Sequence, residues 1–209
     1  KVDNPSARGM CISNLIIVPK SDGRMRVCMD ARGVNKVTVP DRTFVPSVRD
    51  VMDRVSPTAK YFVMADIIWG FNMVPLEEES RKRTCFYGPD GTLYRWKVMT
   101  FGWMNAPAFF HNWMIHLTQG LRGISFYVDD ICVEGDTWEE LLLNFEALVK
   151  RLEEEKVSIS IKKLQVGPEV KMLGWVRDAS GFRPSADRVA ALQESASPAN
   201  KGELRSLLG

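Results

Sequence analysis

The spacing of apolar residues changes along the chain between the period of a strand and that of a helix. Residues 13–20 form an apolar run that predicts a short buried strand, and residues 25–32 predict a returning strand after an Asp-Gly turn. Residues 60–67 predict a further strand that is apolar until Asp66. Residues 124–135 predict two short apolar strands on either side of a polar pair.

Apolar residues recur at helical spacing in three stretches, which predict helices over residues 46–56, 105–121 and 137–157. Asn105 is the expected N-cap of the second helix, with Pro107 in its first turn. Thr137 and Glu140 have the spacing of a capping box at the third. The predicted buried stripe of that helix consists of Leu141, Phe145, Leu148, Val149 and Leu152.

The order of these elements predicts an α+β fold with helices on one face of an antiparallel sheet. A split β-α-β-β-α-β unit accounts for strand 60–67, helix 105–121, hairpin 124–134 and helix 137–157. A second hairpin is predicted over residues 83–98, two or three strands over 157–177, and short helices from about residue 185.

Composition narrows the class of protein. The 209 residues suffice for one large or two small domains, and 45% hydrophobic content can build a core. A net charge of +2 does not by itself indicate a nucleic-acid-binding protein, although basic residues cluster near the start and at residues 81–83. Four cysteines without a C-x-x-C pair argue against a structural zinc site and indicate an intracellular protein. No membrane span is expected, and we expect a segment of a longer polyprotein.

Candidate chemistry centres on Asp129 and Asp130, two adjacent acids between apolar strands. Taken alone, such a pair is more commonly a solvated turn. Asp66 changes that interpretation, because strand 60–67 beside the hairpin would bring three carboxylates together. Carboxylate oxygens suit Mg²⁺ or Mn²⁺, and two such ions about 3.5–4 Å apart support nucleotidyl transfer.

A family resemblance enters through Tyr127-Val128-Asp129-Asp130, which resembles the Y-x-D-D box of reverse transcriptases. The resemblance covers nearly the whole chain and is closest to gypsy-type long-terminal-repeat retroelements. The matching phrases are VPKSDGRMRVCMDARGVNKVTVPDR (18–42), AKYFVMADIIWGF (59–71), KRTCFYGPDGTLYRWKVMTFGWMNAPAFFHNWM (82–114), YVDDICV (127–133) and KMLGWVRDASGFRPSADRVAAL (171–192).

The resemblance implies the fingers and palm of a right-hand polymerase, with a ferredoxin-like palm. The implied division is fingers 1–41, palm 42–73, fingers 74–105, palm with primer grip 106–184, and the start of the thumb 185–209. The implied partners are an RNA or DNA template, a DNA primer, dNTPs, and the thumb, connection and RNase H parts of the parent polyprotein. The implied location is a cytoplasmic particle or the nucleus.

The resemblance also implies roles for individual residues. Asp66, Asp129 and Asp130 would be catalytic and would hold two Mg²⁺ ions, or Mn²⁺, together with the backbone carbonyl of Ile67. The implied nucleotide-binding residues are Lys20, Arg26, Trp69, Gly70, Phe71, Phe101 and Lys163. The implied template or primer contacts are Asp30, Arg32, Asn35, Gly102, Tyr127, Met172, Leu173 and Gly174.

Several of these roles have simpler alternatives. Phe71 would exclude a ribose 2′-OH by sterics, or it is an ordinary core aromatic. Lys163 is either a general acid near the pyrophosphate or an exposed lysine. Asp30 is expected to pair with a basic neighbour. Arg32 and Asn35 would contact the template or support the fingers, and Gly102 would let the template backbone approach closely.

Trp69 departs from the family pattern, which has a small or polar residue there. This departure keeps a second hypothesis open, in which the chain is a catalytically impaired or co-opted domain that binds nucleic acid or a protein partner. A third interpretation, an RNA-dependent RNA polymerase, is disfavoured by Phe71, because an RNA polymerase must admit the 2′-OH.

Overall fold

A computed structural model describes residues 10–19, 23, 25–194, 200–202 and 205, and the structural statements below concern these residues. The strands are β1 Leu15–Pro19, β2 Met25–Met29, β3 Tyr61–Asp66, β4 Cys85–Tyr87, β5 Leu93–Arg95, β6 Ile124–Tyr127, β7 Asp130–Gly135, β8 Gln165–Gly167, β9 Glu169–Met172, β10 Trp175–Asp178 and β11 Gly181–Pro184. The α-helices are α1 Arg32–Asn35, α2 Val48–Met52, α3 Glu78–Arg81, α4 Ala106–Thr118, α5 Trp138–Glu154 and α6 Ala186–Glu194.

The central sheet has four antiparallel strands in the order β6-β7-β3-β8. Helix α4 lies in sequence between β3 and β6, and α5 lies between β7 and β8. This connectivity is the split β-α-β-β-α-β unit predicted from the sequence, so the α+β class is confirmed.

Alternate residues of the central sheet face two different cores, as strand geometry requires. On one face, Val63 and Ile131 pack with α4 and α5, including Phe110 and Leu148. On the other face, Phe62 packs with residues of α2 and β9. The expected helices on one face are therefore α4 and α5, whereas the short α2 covers the opposite face.

Three smaller sheets complete the fold: the β1–β2 ribbon, the β4–β5 hairpin and the β11-β10-β9 sheet. The prediction that the strand within residues 13–20 is buried was wrong. Ile17, for example, is 63% exposed. A two-stranded ribbon buries a face only if another layer covers it, and most of β1 and β2 has no such cover. None of the described helices has the length and hydrophobicity that a bilayer crossing requires.

The helix ends differ in detail from the prediction. At α5, the Thr137 side chain accepts from the Glu140 N–H, but the Glu140 carboxylate accepts from Asp136 N–H, one residue before the cap. Val149 was predicted to be buried and is exposed. The Asn105 side chain does not cap α4.

The side chain of Asn105 instead fastens a neighbouring loop. Its amide donates to the Val39 carbonyl at 2.9 Å and its oxygen accepts from the Asp41 N–H at 2.9 Å. The physical reason for the error is that capping and loop-bridging use the same amide group, and only tertiary structure decides between them.

Adjacent leucines on α5 provide a test of this packing. Leu141 lies in the core beneath the sheet, and Leu142 is 59% exposed. Leu141→Ala should therefore lower the free energy of unfolding by about 2–5 kcal/mol, because it leaves a cavity. Leu142→Ala, the matched control, should change it by less than about 0.5 kcal/mol. Urea unfolding measures both, and equal losses would contradict the described orientation of α5.

Candidate active site

Strand pairing brings the three predicted carboxylates to one end of the central sheet. Asp66 and Asp130 are register partners in the antiparallel β3–β7 pair. Asp129 lies in the turn before β7, and its carbonyl accepts from the Ile67 N–H at 2.9 Å. The pairing of strand 60–67 with the hairpin, on which the sequence argument depended, is therefore present.

The turn between β6 and β7 holds a strained residue. Tyr127 and Asp130 are register partners, so the turn consists of Val128 and Asp129 alone. Val128 has a φ of 53°, a left-handed conformation that a β-branched residue rarely adopts. Such conformations persist where the surrounding structure imposes them, and they cluster at functional sites. No sequence signal reveals this strain, because hairpin turns with positive φ normally contain glycine or asparagine there.

Burial and mutual repulsion disfavour ionised carboxyls at this turn. Burial, with the charges of Asp129 and Asp66, raises the pKa of Asp130 to about 6. The pKa of Asp129 is also raised, chiefly by burial and further by Asp66. Lys163 lowers both pKa values, and Arg26 lowers that of Asp129. The site is therefore short of positive charge.

Lys163 supplies part of that charge. Its ammonium donates to the Asp66 carboxylate, with Nζ 3.0 Å from Oδ2. The segment before Lys163 runs beside the end of β3, where the Ser160 N–H donates to the Asp66 carbonyl at 2.8 Å. The Lys163 side chain is nevertheless 61% exposed, so its amine is both paired with Asp66 and accessible from solvent.

The donor set fits a divalent cation in chemistry. Hard carboxylate oxygens are the ligands that Mg²⁺ and Mn²⁺ prefer, and a cation would offset the burial and the repulsion that raise the two pKa values. The geometry is not that of a closed cage: within the described residues, no three His, Cys, Asp or Glu side chains form a ready metal-binding cluster. The ligand sphere would need Lys163 to shift or other oxygens to contribute.

An aromatic and basic wall stands beside the acids. The guanidinium carbon of Arg26, on β2, lies 4.7 Å from the ring centroid of Phe101. Phe101 contacts Phe71 at 5.1 Å between centroids, and Phe71 contacts Phe110 edge-on at 5.3 Å. These four side chains thus form one continuous row of contacts that leads from the β1–β2 ribbon to the core.

The loop after β3 lies against Asp129 through its glycine. A Cβ added to Gly70 would lie 3.5 Å from the Asp129 Oδ2, which is ordinary contact, and the φ of 44° at Gly70 is what favours glycine there. Trp69, just before it, is 74% exposed and has a φ of 74°. The bulky indole therefore lies at the surface, and the smallest residue lies against the acid.

The residues predicted to contact the template mostly contact each other. Arg32 forms a two-pronged ion pair with Asp30, at 2.7 Å and 2.8 Å, which lowers the pKa of Asp30 to about 2. The expected pairing of Asp30 with a basic neighbour is confirmed. Asn35 donates to the Gly102 carbonyl at 2.9 Å and accepts from the Met104 N–H at 3.1 Å. Of the two roles that the sequence allowed for Asn35, template contact or support of the protein scaffold, these hydrogen bonds supply the second.

The structure gives a different reason for Gly102 from the one expected. A Cβ at Gly102 would lie 2.3 Å from the Met29 carbonyl oxygen at the end of β2, and the φ of Gly102 is 110°. The close approach is therefore to the protein's own backbone. Sequence reasoning could not reveal the contact between Gly102 and Met29, because the two residues are more than seventy positions apart.

The predicted primer-grip residues form the turn between β9 and β10. Met172 and Trp175 are register partners, which leaves Leu173 and Gly174 in the turn, with φ values of 53° and 78°. Met172 is buried in the same core that Tyr127 and Leu173 pack against. Predicted Lys20 lies outside the described residues.

Comparison with known proteins identifies relatives over most of this region. The family model for reverse transcriptase (RNA-dependent DNA polymerase) matches residues 18–176. The Retrovirus-related Pol polyprotein from transposon 297 of Drosophila melanogaster is 27% identical over 201 residues, which cover 92% of this chain and 19% of that protein. The Pro-Pol polyprotein of feline foamy virus is 30% identical over 193 residues, 92% of this chain and 16% of that protein.

Solved structures give the same result. A foamy viral protease-reverse transcriptase in complex with double-stranded DNA matches with a TM-score of 0.88 and 30% identity, over 94% of this chain and 35% of that one. The same kind of protein with an RNA/DNA hybrid matches with a TM-score of 0.82 and 29% identity, over 94% of this chain and 26% of that one. The chain thus spans under a fifth of the length of the two Pol polyproteins above.

Gly102 provides a test of the contact between the end of β2 and the segment that contains Phe101 and Gly102. Gly102→Ala meets both the Met29 oxygen and an unfavourable φ, whereas Gly91→Ala has a φ of 71° with no atom within 4 Å. The Gly91 control should lose only about 1–2 kcal/mol of unfolding free energy from its left-handed backbone. Gly102→Ala should lose at least about 1 kcal/mol more, because backbone must move. Equal losses in urea unfolding would argue against the close approach.

Proposed function

Because the chain belongs to the reverse transcriptase family, we propose that it forms the fingers and palm of an RNA-directed DNA polymerase within a retroelement Pol polyprotein. The proposed reaction joins a dNTP to a primer 3′-OH opposite an RNA or DNA template. The observation that carries the proposal is the register of β3 and β7, which sets Asp66 opposite Asp130 with Asp129 in the adjoining turn.

We assign residues 1–41 and 74–105 to the fingers, 42–73 and 106–184 to the palm, and 185–209 to the start of the thumb. The central sheet with α4 and α5 supports the palm assignment, because it carries all three acids. The substrates and the remaining polymerase parts are proposed on the same basis, by analogy with the relatives that bind duplexes.

The acids are the proposed holders of the divalent ions that reverse transcriptases in general use. Asp66 and Asp129 would bind both ions with help from the Ile67 carbonyl, and Asp130 would support the site. Two bound ions supply charge neutralisation for the attacking and the leaving oxygen. The raised pKa values of Asp129 and Asp130 support this role, since ionised carboxyls there lack sufficient counter-charge.

The proposed nucleotide pocket is the wall beside the acids. Arg26 offers a fork of donors to triphosphate oxygens, and its stacking on Phe101 at 4.7 Å holds the fork in place. Phe71 is held between Phe101 and Phe110, so its ring has little freedom to retreat from a ribose 2′-OH. Lys163, a charged amine beside Asp66, would donate a proton to the departing pyrophosphate.

A second candidate is a domain that binds template and primer but does not incorporate nucleotides. The open arrangement of the acids and the Lys163–Asp66 ion pair favour it. The two candidates differ in one measurable respect: both bind a template–primer duplex, and only a polymerase extends it when a divalent metal is added.

Substitution of a single acid tests the polymerase proposal. Asp129→Asn keeps the size of the side chain and removes its charge, so primer extension with Mg²⁺ should fall more than about 100-fold. Glu153→Gln, the same change at an exposed position of α5, should leave extension unchanged. The assay is extension of a labelled primer on RNA and DNA templates by the intact protein. Template–primer binding without metal-dependent extension by the unsubstituted protein would favour the second candidate.

Phe71 provides a separate test of sugar selection. Phe71→Val should raise the incorporation of ribonucleotides relative to deoxynucleotides by about 10- to 100-fold, because the smaller side chain leaves room for the 2′-OH. Phe86→Val, in a different aromatic cluster with Tyr94 and Trp96, is the matched control. Single-turnover kcat/KM for each nucleotide gives the ratio. An unchanged ratio would make Phe71 an ordinary core aromatic.

A further inference from the structure

Arg177 on β10 is an unusual side chain in the core. It is 2% exposed, and its guanidinium carbon lies between two rings, 5.0 Å from the centroid of Phe62 and 5.2 Å from that of Phe182. Arginine is almost never fully buried unless it is paired. Phe62 belongs to β3 and Phe182 to β11, so the side chain crosses from the small three-stranded sheet to the central sheet.

The polar contacts of Arg177 continue the same crossing. Its Nη2 donates to the Ser56 carbonyl at 2.7 Å, and its Nη1 donates to the Asp178 carbonyl. The N–H of Ser56 in turn donates to both carboxylate oxygens of Glu134 at 3.0 Å. Glu134 is buried on β7, so the backbone N–H and C=O of Ser56 link a buried cation to a buried anion.

Phe62 and Glu134, through which Arg177 reaches the central sheet, lie on β3 and β7, the two strands that end at the acids. Phe62 and Glu134 are register partners, as are Asp66 and Asp130 four residues further along the same strands. Four residues of strand correspond to about 13 Å. Arg177 lies on β10, two residues after Trp175, the first residue of that strand after the predicted primer-grip turn.

We propose that Arg177 is a positioning residue that fixes the hairpin turn of Leu173 and Gly174 relative to Asp66 and Asp130. The inference rests on the proposed function, in which that turn sets the primer 3′-OH. Leu173 in this turn has a φ of 53°, an unfavourable conformation that the surrounding structure must hold in place. A displacement of about 1 Å at a reacting group can lower a rate by about 100-fold.

The competing explanation is that Arg177 only balances the buried charge of Glu134. A double substitution separates this explanation from the positioning role. Arg177→Met leaves Glu134 buried without its counter-charge, which destabilises the fold whatever Arg177 does for the hairpin. Arg177→Met with Glu134→Gln removes both charges, keeps a side-chain oxygen that accepts from the Ser56 N–H, and should recover most of the melting temperature. Arg183→Met is the control, because Arg183 pairs with Glu169 and Asp178 at the surface of the same small sheet.

Three measurements on the intact protein test the proposal: melting temperature, hydrogen exchange of the amides of residues 170–178, and the single-turnover extension rate per titrated active site. For Arg177→Met we expect a lower melting temperature, at least tenfold faster exchange and a 10- to 100-fold lower rate at saturating dNTP, with an unchanged KM for dNTP. The double variant should recover the melting temperature while exchange stays fast and the rate stays low. Arg183→Met should change none of the three.

Two outcomes would overturn the proposal. If the double variant recovers its rate and its exchange protection together with its melting temperature, Arg177 serves charge balance alone. If exchange in Arg177→Met is unchanged, Arg177 does not hold the hairpin. Exchange requires no catalysis, so it decides the anchoring even where the unsubstituted protein extends no primer, an outcome that would count against the polymerase activity itself.

Discussion

The antiparallel register between β3 and β7 is set by two hydrophobic cores, one on each face of the sheet. Val63 and Phe62 are neighbours in sequence and are buried in different cores. A slip of one residue would exchange the faces and expose both sets of side chains, so burial holds the register firmly. The same register sets Asp66 opposite Asp130. The meeting of the acids is therefore a consequence of the packing of the apolar residues behind them.

Local sequence pattern predicted the elements that build this sheet, because the strands are nearly continuous apolar runs buried on both faces and the two long helices each bury one face. It failed where burial depends on a distant partner. The β1 strand is apolar and yet exposed, since no layer covers most of the ribbon. Asn105 looks like a cap and serves a loop. Gly102 has its reason in the carbonyl of Met29, far away in sequence.

The residues of the candidate site were predicted mainly through the family resemblance, whereas the strained backbone around them is visible only in the structure. Non-glycine residues with positive φ in the described chain are Trp69, Val128, Leu173 and Lys156. Trp69 lies in the loop after β3, Val128 in the turn that also contains Asp129, and Leu173 in the β9–β10 turn. No residue preference predicts this, because valine and tryptophan disfavour that region. Strain of this kind requires rigid support, which the sheets and the buried Arg177 provide.

The acids themselves argue for catalysis over simple binding. A carboxyl whose pKa is raised in the folded protein binds its proton more tightly there, so its ionised form at neutral pH favours unfolding. Asp129 and Asp130 are both in this position, and negative charge at that turn also repels a phosphate backbone. A fold used only to bind nucleic acid gains nothing from either residue. Trp69 does not offset this argument, because its indole is 74% exposed and Gly70 is the residue against Asp129.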